Sequence, residues 1–253
     1  MKKDTSWNKA ADWYKGMTED SGSYQQDVIL PGLLRLVAPK PGTKILDLGC
    51  GTGFFARAFS ELGAHVTGLD NSADMIETAS NLSKTKNAIK YFVGSADKIS
   101  MLENNSFDVV TIVLAAQNME HLDKVFAETA RVLKPRGRLC VVLNHPAFRI
   151  PKESSWEWTD DQTTQYRRID KYLSESKQKI IMHPGKSNEY TISFHRPLQV
   201  YFKLLNKAGF GVTHFEEWIS NRIGPKGKTF TALEQSRKEI PIFLYLEARK
   251  IML

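Results

Sequence analysis

The segment Asp47-Leu48-Gly49-Cys50-Gly51-Thr52-Gly53 constrains this chain more than any other. An apolar run over residues 44–48 leads directly into glycines at alternate positions. Residues 52–62 then carry Phe55, Ala58, Phe59 and Leu62 at helical spacing. A strand that turns through glycines into a helix is the opening unit of a parallel α/β sheet. Glycines at such a turn let a ligand approach bare backbone, since a Cβ would block it. The helix N-terminus adds free N–H groups and the positive end of the helix dipole.

The same alternation continues. Residues 65–69 form a predicted second strand, closed by Asp70-Asn71-Ser72, and Ser72 is a suitable N-cap for a helix carrying Met75, Ile76, Ala79 and Leu82. Residues 89–93 form a third strand, and residues 107–114 a fourth, apolar enough to be buried on both faces. A helix over 123–133 ends at Lys134-Pro135-Arg136-Gly137, before a fifth strand over 138–143. Short strand–helix connections require right-handed crossovers between parallel strands. After a break, residues 198–208 read as a helix ended by Gly209, and 212–218 and 242–248 as the last strands. The predicted fold class is α/β: a doubly wound, mostly parallel seven-stranded sheet of Rossmann-like form with an inserted lid segment. Four segments are expected: an N-terminal helical cover (1–40), a core (41–144), an insertion (145–196), and the last helix with the final strands (197–253).

Composition narrows the class. With 253 residues and 42% hydrophobic content, the chain can bury a core without disulfides. Its two cysteines, Cys50 and Cys140, lie in or beside apolar strands; they rule out a disulfide scaffold or a cysteine-rich zinc site and read as reduced thiols of a cytoplasmic protein. The longest uncharged apolar stretch, residues 109–116, is too short to span a bilayer, and the N-terminal residues lack the apolar region of a secretory signal. The net charge of +7 is dispersed, so a nucleic-acid partner is not expected.

Five motifs follow one another along the chain: KILDLGCGTG, VTGLDNSADMIETA, VGSADKI, FDVVTIVLAAQNMEH and ETARVLKPRGRLCVV. Their succession over about a hundred residues resembles the class I S-adenosylmethionine-dependent methyltransferases, as do NKAGFGVTHFEEW and PIFLYLEARK near the end. The resemblance implies S-adenosyl-L-methionine as methyl donor. It implies that the backbone of Gly49, Gly51 and Gly53 holds the methionine part and that Asp47 steadies this turn. Asp70 would take the ribose hydroxyls, Asn71 and Met75 would flank the adenine, and Ala96 N–H with Asp97 would meet its edge. Leu114 and Ala115 would floor the site near the sulfonium, with Tyr14 or Tyr24 closing it. For Asp70 the alternative is a turn cap, for Met75 plain core and for Asp97 an N-cap.

The acceptor end is less legible. No Asn/Asp-Pro-Pro-Tyr/Phe and no Pro-Cys follows the fourth strand, where the sequence reads Ala115-Ala116-Gln117-Asn118-Met119. That tells against base-amine methylation and against a covalent pyrimidine mechanism. His145, following the fifth strand, is the first candidate base, with His195 beside it as a catalytic candidate; His183 and His121 are further possibilities, and structural hydrogen bonding is the alternative for each. No histidine spacing suits a metal, and none is expected. The insertion carries Phe148, Trp156, Trp158, Tyr166, Tyr172, Tyr190 and Phe194, which suit either an acceptor pocket or the insertion's own small core. The expected acceptor is a small, partly apolar molecule. An RNA or protein methyltransferase and a donor-binding module without catalysis are the alternatives. The oligomeric state is not legible.

Overall fold

The computed structural model describes residues 7, 11–83, 89–181 and 190–251. Helices α1 (Ala11–Glu19) and α2 (Leu30–Val37) precede the sheet. The alternating part comprises β1 (Lys44–Leu48), α3 (Phe54–Glu61), β2 (His65–Asp70), α4 (Ala73–Leu82), β3 (Lys90–Val93), β4 (Phe107–Val113), α5 (Leu122–Val132) and β5 (Leu133–Asn144). Strands β6 (Ser154–Trp158), β7 (Gln165–Ile169), β8 (Ser176–Ile181) and β9 (Tyr190–His195) follow. The chain then forms α6 (Leu198–Lys207), β10 (Phe210–Trp218), α7 (Phe230–Glu239) and β11 (Phe243–Lys250).

The main sheet has seven strands in the order β10-β11-β5-β4-β1-β2-β3. The pairs from β5 to β3 are parallel, and β11 pairs antiparallel with both β5 and β10. The mostly parallel seven-stranded sheet is therefore as expected. The chain leaves β1 for β2 on one side and returns to β4 on the other, and this reversal opens a crevice at the strand ends.

Period-two alternation divides the core. Leu46, Leu48, Val110, Ile112, Leu139 and Val141 face α5 and α6, joined by Phe126 and Leu205. Ile45, Val109, Val113, Cys140 and Val142 face the other way, against Leu33, Phe55 and Phe59. Both cysteines are buried and unpaired. No helix among the described residues is long and apolar enough to cross a membrane.

Four local features differ from the sequence reading. Helix α3 starts at Phe54 rather than Thr52, because Gly53 caps it in the left-handed region at φ 77°. Strand β5 starts at Leu133, so the helix stops a residue early and the Pro135-Arg136-Gly137 turn lies within the strand's span. The stretch after β5, expected as an insertion with no elements assigned, contains two antiparallel strand pairs, β6–β7 and β8–β9. Helix α7 had no clear sequence signal.

Helix α2 reaches the sheet edge through Gly32, where an added Cβ would lie 2.7 Å from Trp218 Cζ2. Trp218 stacks on Tyr245 and donates its indole N–H to Glu216, so it cannot easily move aside. Gly32→Ala should therefore destabilise the fold. Overpacking of ~1–3 kcal/mol outweighs a helix-propensity gain of up to ~1 kcal/mol. Urea unfolding followed by tryptophan fluorescence checks this, and an unchanged midpoint would contradict it.

Candidate active site

A cavity of about 910 Å³ runs along the strand ends. One end is formed by the turn after β1. Gly49 N–H and Cys50 N–H both donate to Leu69 O, at 2.7 and 3.1 Å. Gly51 N–H donates to Asp70 Oδ2 and Ser72 N–H to Asp70 Oδ1, each at 2.9 Å. Asp70 thus ties the glycine turn to the start of α4. A carboxylate has about four acceptor sites, so each oxygen keeps capacity for a further donor. Burial raises the Asp70 carboxyl above its ordinary range, against the opposing pull of these backbone N–H groups.

The expected role of Asp47 needs correction. Its Oδ1 accepts from Thr111 Oγ1 at 2.8 Å, the residue opposite it in the β1–β4 pairing, and it makes no bond to the glycine turn. Its Oδ2 is buried without a partner. Desolvation is the main cause that pushes its carboxyl up to about 7, with Asp70 adding to the shift and the Thr111 bond opposing it.

Gly49, Gly51, Asp70, Asn71, Met75, Ala96, Asp97 and Leu114 all line the cavity; Asp47 and Gly53 are not among its lining residues. A Cβ at Gly53 would collide with the Tyr91 hydroxyl, so that glycine permits packing. Leu114 sits at φ 52°, and Gln117 Nε2 donates to its carbonyl at 2.8 Å. A bulky residue held there stores roughly 1–3 kcal/mol of strain. The N-terminal tyrosines divide the cavity. Tyr14 lies over the turn, its Cε1 3.1 Å from where a Gly51 Cβ would be. Tyr24 packs edge-on against Phe243 at 5.6 Å, near the other end.

Neither catalytic histidine candidate reaches the cavity lining. His145 is buried, its Nε2 2.7 Å from Glu217 Oε1 and its Nδ1 accepting Ala147 N–H at 3.2 Å. Both ring nitrogens are occupied, leaving no lone pair for a substrate proton. Burial lowers its pKa, opposed by Glu217. His195 is also buried, with Nε2 2.8 Å from Tyr172 O. His183 lies outside the described residues, and His121 does line the cavity. Among the described residues no group of three or more His, Cys, Asp or Glu is placed to hold a metal.

The hairpins wall the far end through Ser154, Arg167, Ile180, Ile192 and Phe194, with Ile150 from the loop before them. Of the insertion's seven singled-out aromatics, only Phe194 is in the lining. Trp156, Tyr166 and Tyr190 are exposed. The β8–β9 hairpin is fastened to the loop after β4: Asn118 Nδ2 donates to Ile192 O at 2.8 Å, and Arg196 Nη2 to Met119 O at 2.8 Å. Sequence reasoning missed Arg149 and Gln117. Both line the cavity, and Gln117 Oε1 is buried with no partner. Neither sits in a periodic pattern; the only signal for Arg149 is its position shortly after a strand end.

A glycine turn after β1, a carboxylate ending β2 and a cavity across the β1–β4 reversal define a Rossmann-like nucleoside-cofactor site of the methyltransferase kind. A methyltransferase-domain profile matches residues 46–141. The S-adenosylmethionine dependent methyltransferase from Mesorhizobium loti superposes with a TM-score of 0.69 at 30% identity, over 86% of this chain and 96% of that one. The chain belongs to the class I S-adenosylmethionine-dependent methyltransferase family, whose methyl donor is S-adenosylmethionine. It is 34% identical over 113 residues to the demethylmenaquinone methyltransferase of Tropheryma whipplei (strain Twist), a match covering 44% of this chain and 46% of that enzyme. It is 32% identical over 166 residues to a ubiquinone/menaquinone biosynthesis C-methyltransferase of Burkholderia vietnamiensis, covering 60% of this chain and 66% of that one. The chain thus spans about half the length of the first of these curated relatives.

Because the Asp47 carboxyl lies near 7 when folded, against about 4 in an unfolded chain, the folded state binds the extra proton between those values. This contribution is fully present below about pH 4 and is lost as pH rises through about 7. Asp47→Asn removes the titration. The stability difference, wild type minus variant, should fall by a few kcal/mol, order of magnitude, between those limits. Urea midpoints for both proteins across that range check it, and a flat difference would contradict it.

Proposed function

We propose that this protein transfers a methyl group from S-adenosylmethionine to a small, partly apolar molecule. The carrying observation is the continuity of one cavity, about 910 Å³, from Gly51 and Asp70 to the hairpin residues Ile180 and Phe194. The names of the curated relatives, which refer to demethylmenaquinone and to ubiquinone/menaquinone biosynthesis, agree with an acceptor of that kind.

The residues present fit the donor. Asp70 has spare acceptor capacity for both ribose hydroxyls, and Gly49 and Gly51 line the cavity where the methionine part would lie. Asn71 and Met75 flank the adenine, Ala96 N–H and Asp97 meet its edge, and Leu114 floors the reacting centre. Asp47, Gly53 and the insertion act behind this surface: Asp47 through Thr111, Gly53 through Tyr91, and residues 145–196 as the cover of the acceptor end. The donor supplies an activated methyl carbon, which bonds to the acceptor atom as its bond to sulfur breaks. The protein's part is alignment and exclusion of water. Tyr14 covers the glycine turn, and Gln117 lines the cavity with its Nε2 held on the Leu114 carbonyl. His121 is the cavity's only histidine among the described residues, so it replaces His145 and His195 as the group able to take a proton. The proposed compartment is the cytoplasm, compatible with two buried, unpaired thiols.

Calorimetry with S-adenosylhomocysteine tests the reading. The intact protein should bind one equivalent. Asp70→Asn loses charge-assisted bonds of ~1.5–3 kcal/mol each, so the affinity should fall at least about tenfold. No binding by the intact protein, or equal affinity in the variant, would overturn it.

A further inference from the structure

The far end of the cavity is cationic in a way the methyl-transfer reading does not use. Arg149, Arg167, Lys177 and Arg222 line it. Lys177 is paired with Glu120 at 2.9 Å. Among the described residues the other three have no carboxylate within ion-pair distance. Arg167 is fixed by backbone and hydroxyl: its Nε donates to Phe148 O at 2.6 Å and its Nη2 to Ser154 Oγ at 2.8 Å. Arg222 lies 4.1 Å from the centre of the Tyr24 ring, and Arg149 lies 5.7 Å from that of Phe243. Those two rings touch edge to face, so Arg149 and Arg222 gather around one aromatic pair.

Arg149 is the central member. Its backbone N–H donates to His145 O, but its exposed side chain, which lines the cavity, makes no hydrogen bond and no ion pair among the described residues. Protein packed around it lowers its pKa, and its own charge helps to lower that of Arg167. Neighbouring guanidiniums repel one another, whereas the arginine fork suits an oxyanion. The donor's ribose end is remote. Asp70 ends β2 and Asn144 ends β5, with β1 and β4 between them. Three strand spacings put these ends roughly 14 Å apart.

We propose, resting on the methyl-transfer reading, that the acceptor carries an oxyanion, either a carboxylate or a phosphate ester, held by Arg149. Its apolar body lies against Tyr24 and Phe243, and Arg167 and Arg222 flank the charge. The acceptor is then amphipathic: anchored by its charge at the hairpin end and presenting its reactive atom toward Leu114. Anchoring there selects among apolar molecules of similar size by the presence of the anion.

The test uses the full chain saturated with S-adenosylhomocysteine and titrated with benzoate and, separately, inorganic phosphate. At least one probe should bind. Arg149→Gln should weaken it by about tenfold or more, and Arg222→Gln by a few-fold, while both variants keep S-adenosylhomocysteine affinity within about threefold. Benzoate binding alone identifies a carboxylate, and phosphate binding a phosphate ester. Absence of binding by either probe, or undiminished binding in Arg149→Gln, would overturn the proposal. So would displacement of the probe by S-adenosylhomocysteine, which would assign Arg149 to the donor's own carboxylate. Failure of the intact protein to bind S-adenosylhomocysteine at all would instead overturn the methyl-transfer reading.

Discussion

The pairing of Gly51 N–H with the Asp70 carboxylate holds the cavity in shape. Strands β1 and β2 run in parallel, so their ends arrive side by side. Leu69 O then takes two N–H groups of the glycine turn, and Asp70 takes a third. Every backbone donor at the start of this turn is thereby satisfied while one face stays open. Without such bonds, buried N–H groups would each be left unpaired at a cost of about 1–3 kcal/mol. The start of α4, the position of Met75 and the wall under Tyr14 all follow from this junction.

Two carboxylates lie near the turn, and their environments separate them. Asp70 is partly exposed and bonded to backbone N–H groups, which favour its charged form against its burial. Asp47 is fully enclosed, with a single hydroxyl partner and an unpartnered oxygen, and its carboxyl is pushed up to about 7. The first is suited to accept from a ligand. The second joins β1 to β4 across the reversal that opens the crevice.

The insertion works through its backbone more than through its aromatic side chains. Two hairpins form two-stranded sheets of their own and bond to the loop after β4 and to α7, through Asn118, Arg196 and Ser236. Trp156 consequently faces outward, with Arg167 over its ring at 5.4 Å, and Arg167 itself reaches the cavity. The cavity therefore has carboxylates near the turn and unpaired guanidiniums near the hairpins, with Leu114, Ala115 and Val113 between them.

The sheet, its parallel strands and the cavity-lining positions Gly49, Gly51, Asp70 and Met75 were legible because each depends on local pattern: apolar runs, glycines at a turn, an N-cap, a carboxylate at a strand end. The roles of Asp47, Gly53, His145 and His195 were not. Each is decided by a partner distant in the chain: Thr111 for Asp47, Tyr91 for Gly53, Glu217 for His145 and Tyr172 for His195. A histidine next to a strand end looks the same in sequence whether its nitrogens are free or taken. Arg149, silent in the sequence, acquires meaning only when the fold brings Tyr24, Phe243 and Arg167 around it and, among the described residues, no carboxylate. Short-range periodicity and turn chemistry thus determine where the crevice opens, and long-range packing decides which side chains have partners and which remain free to meet a ligand.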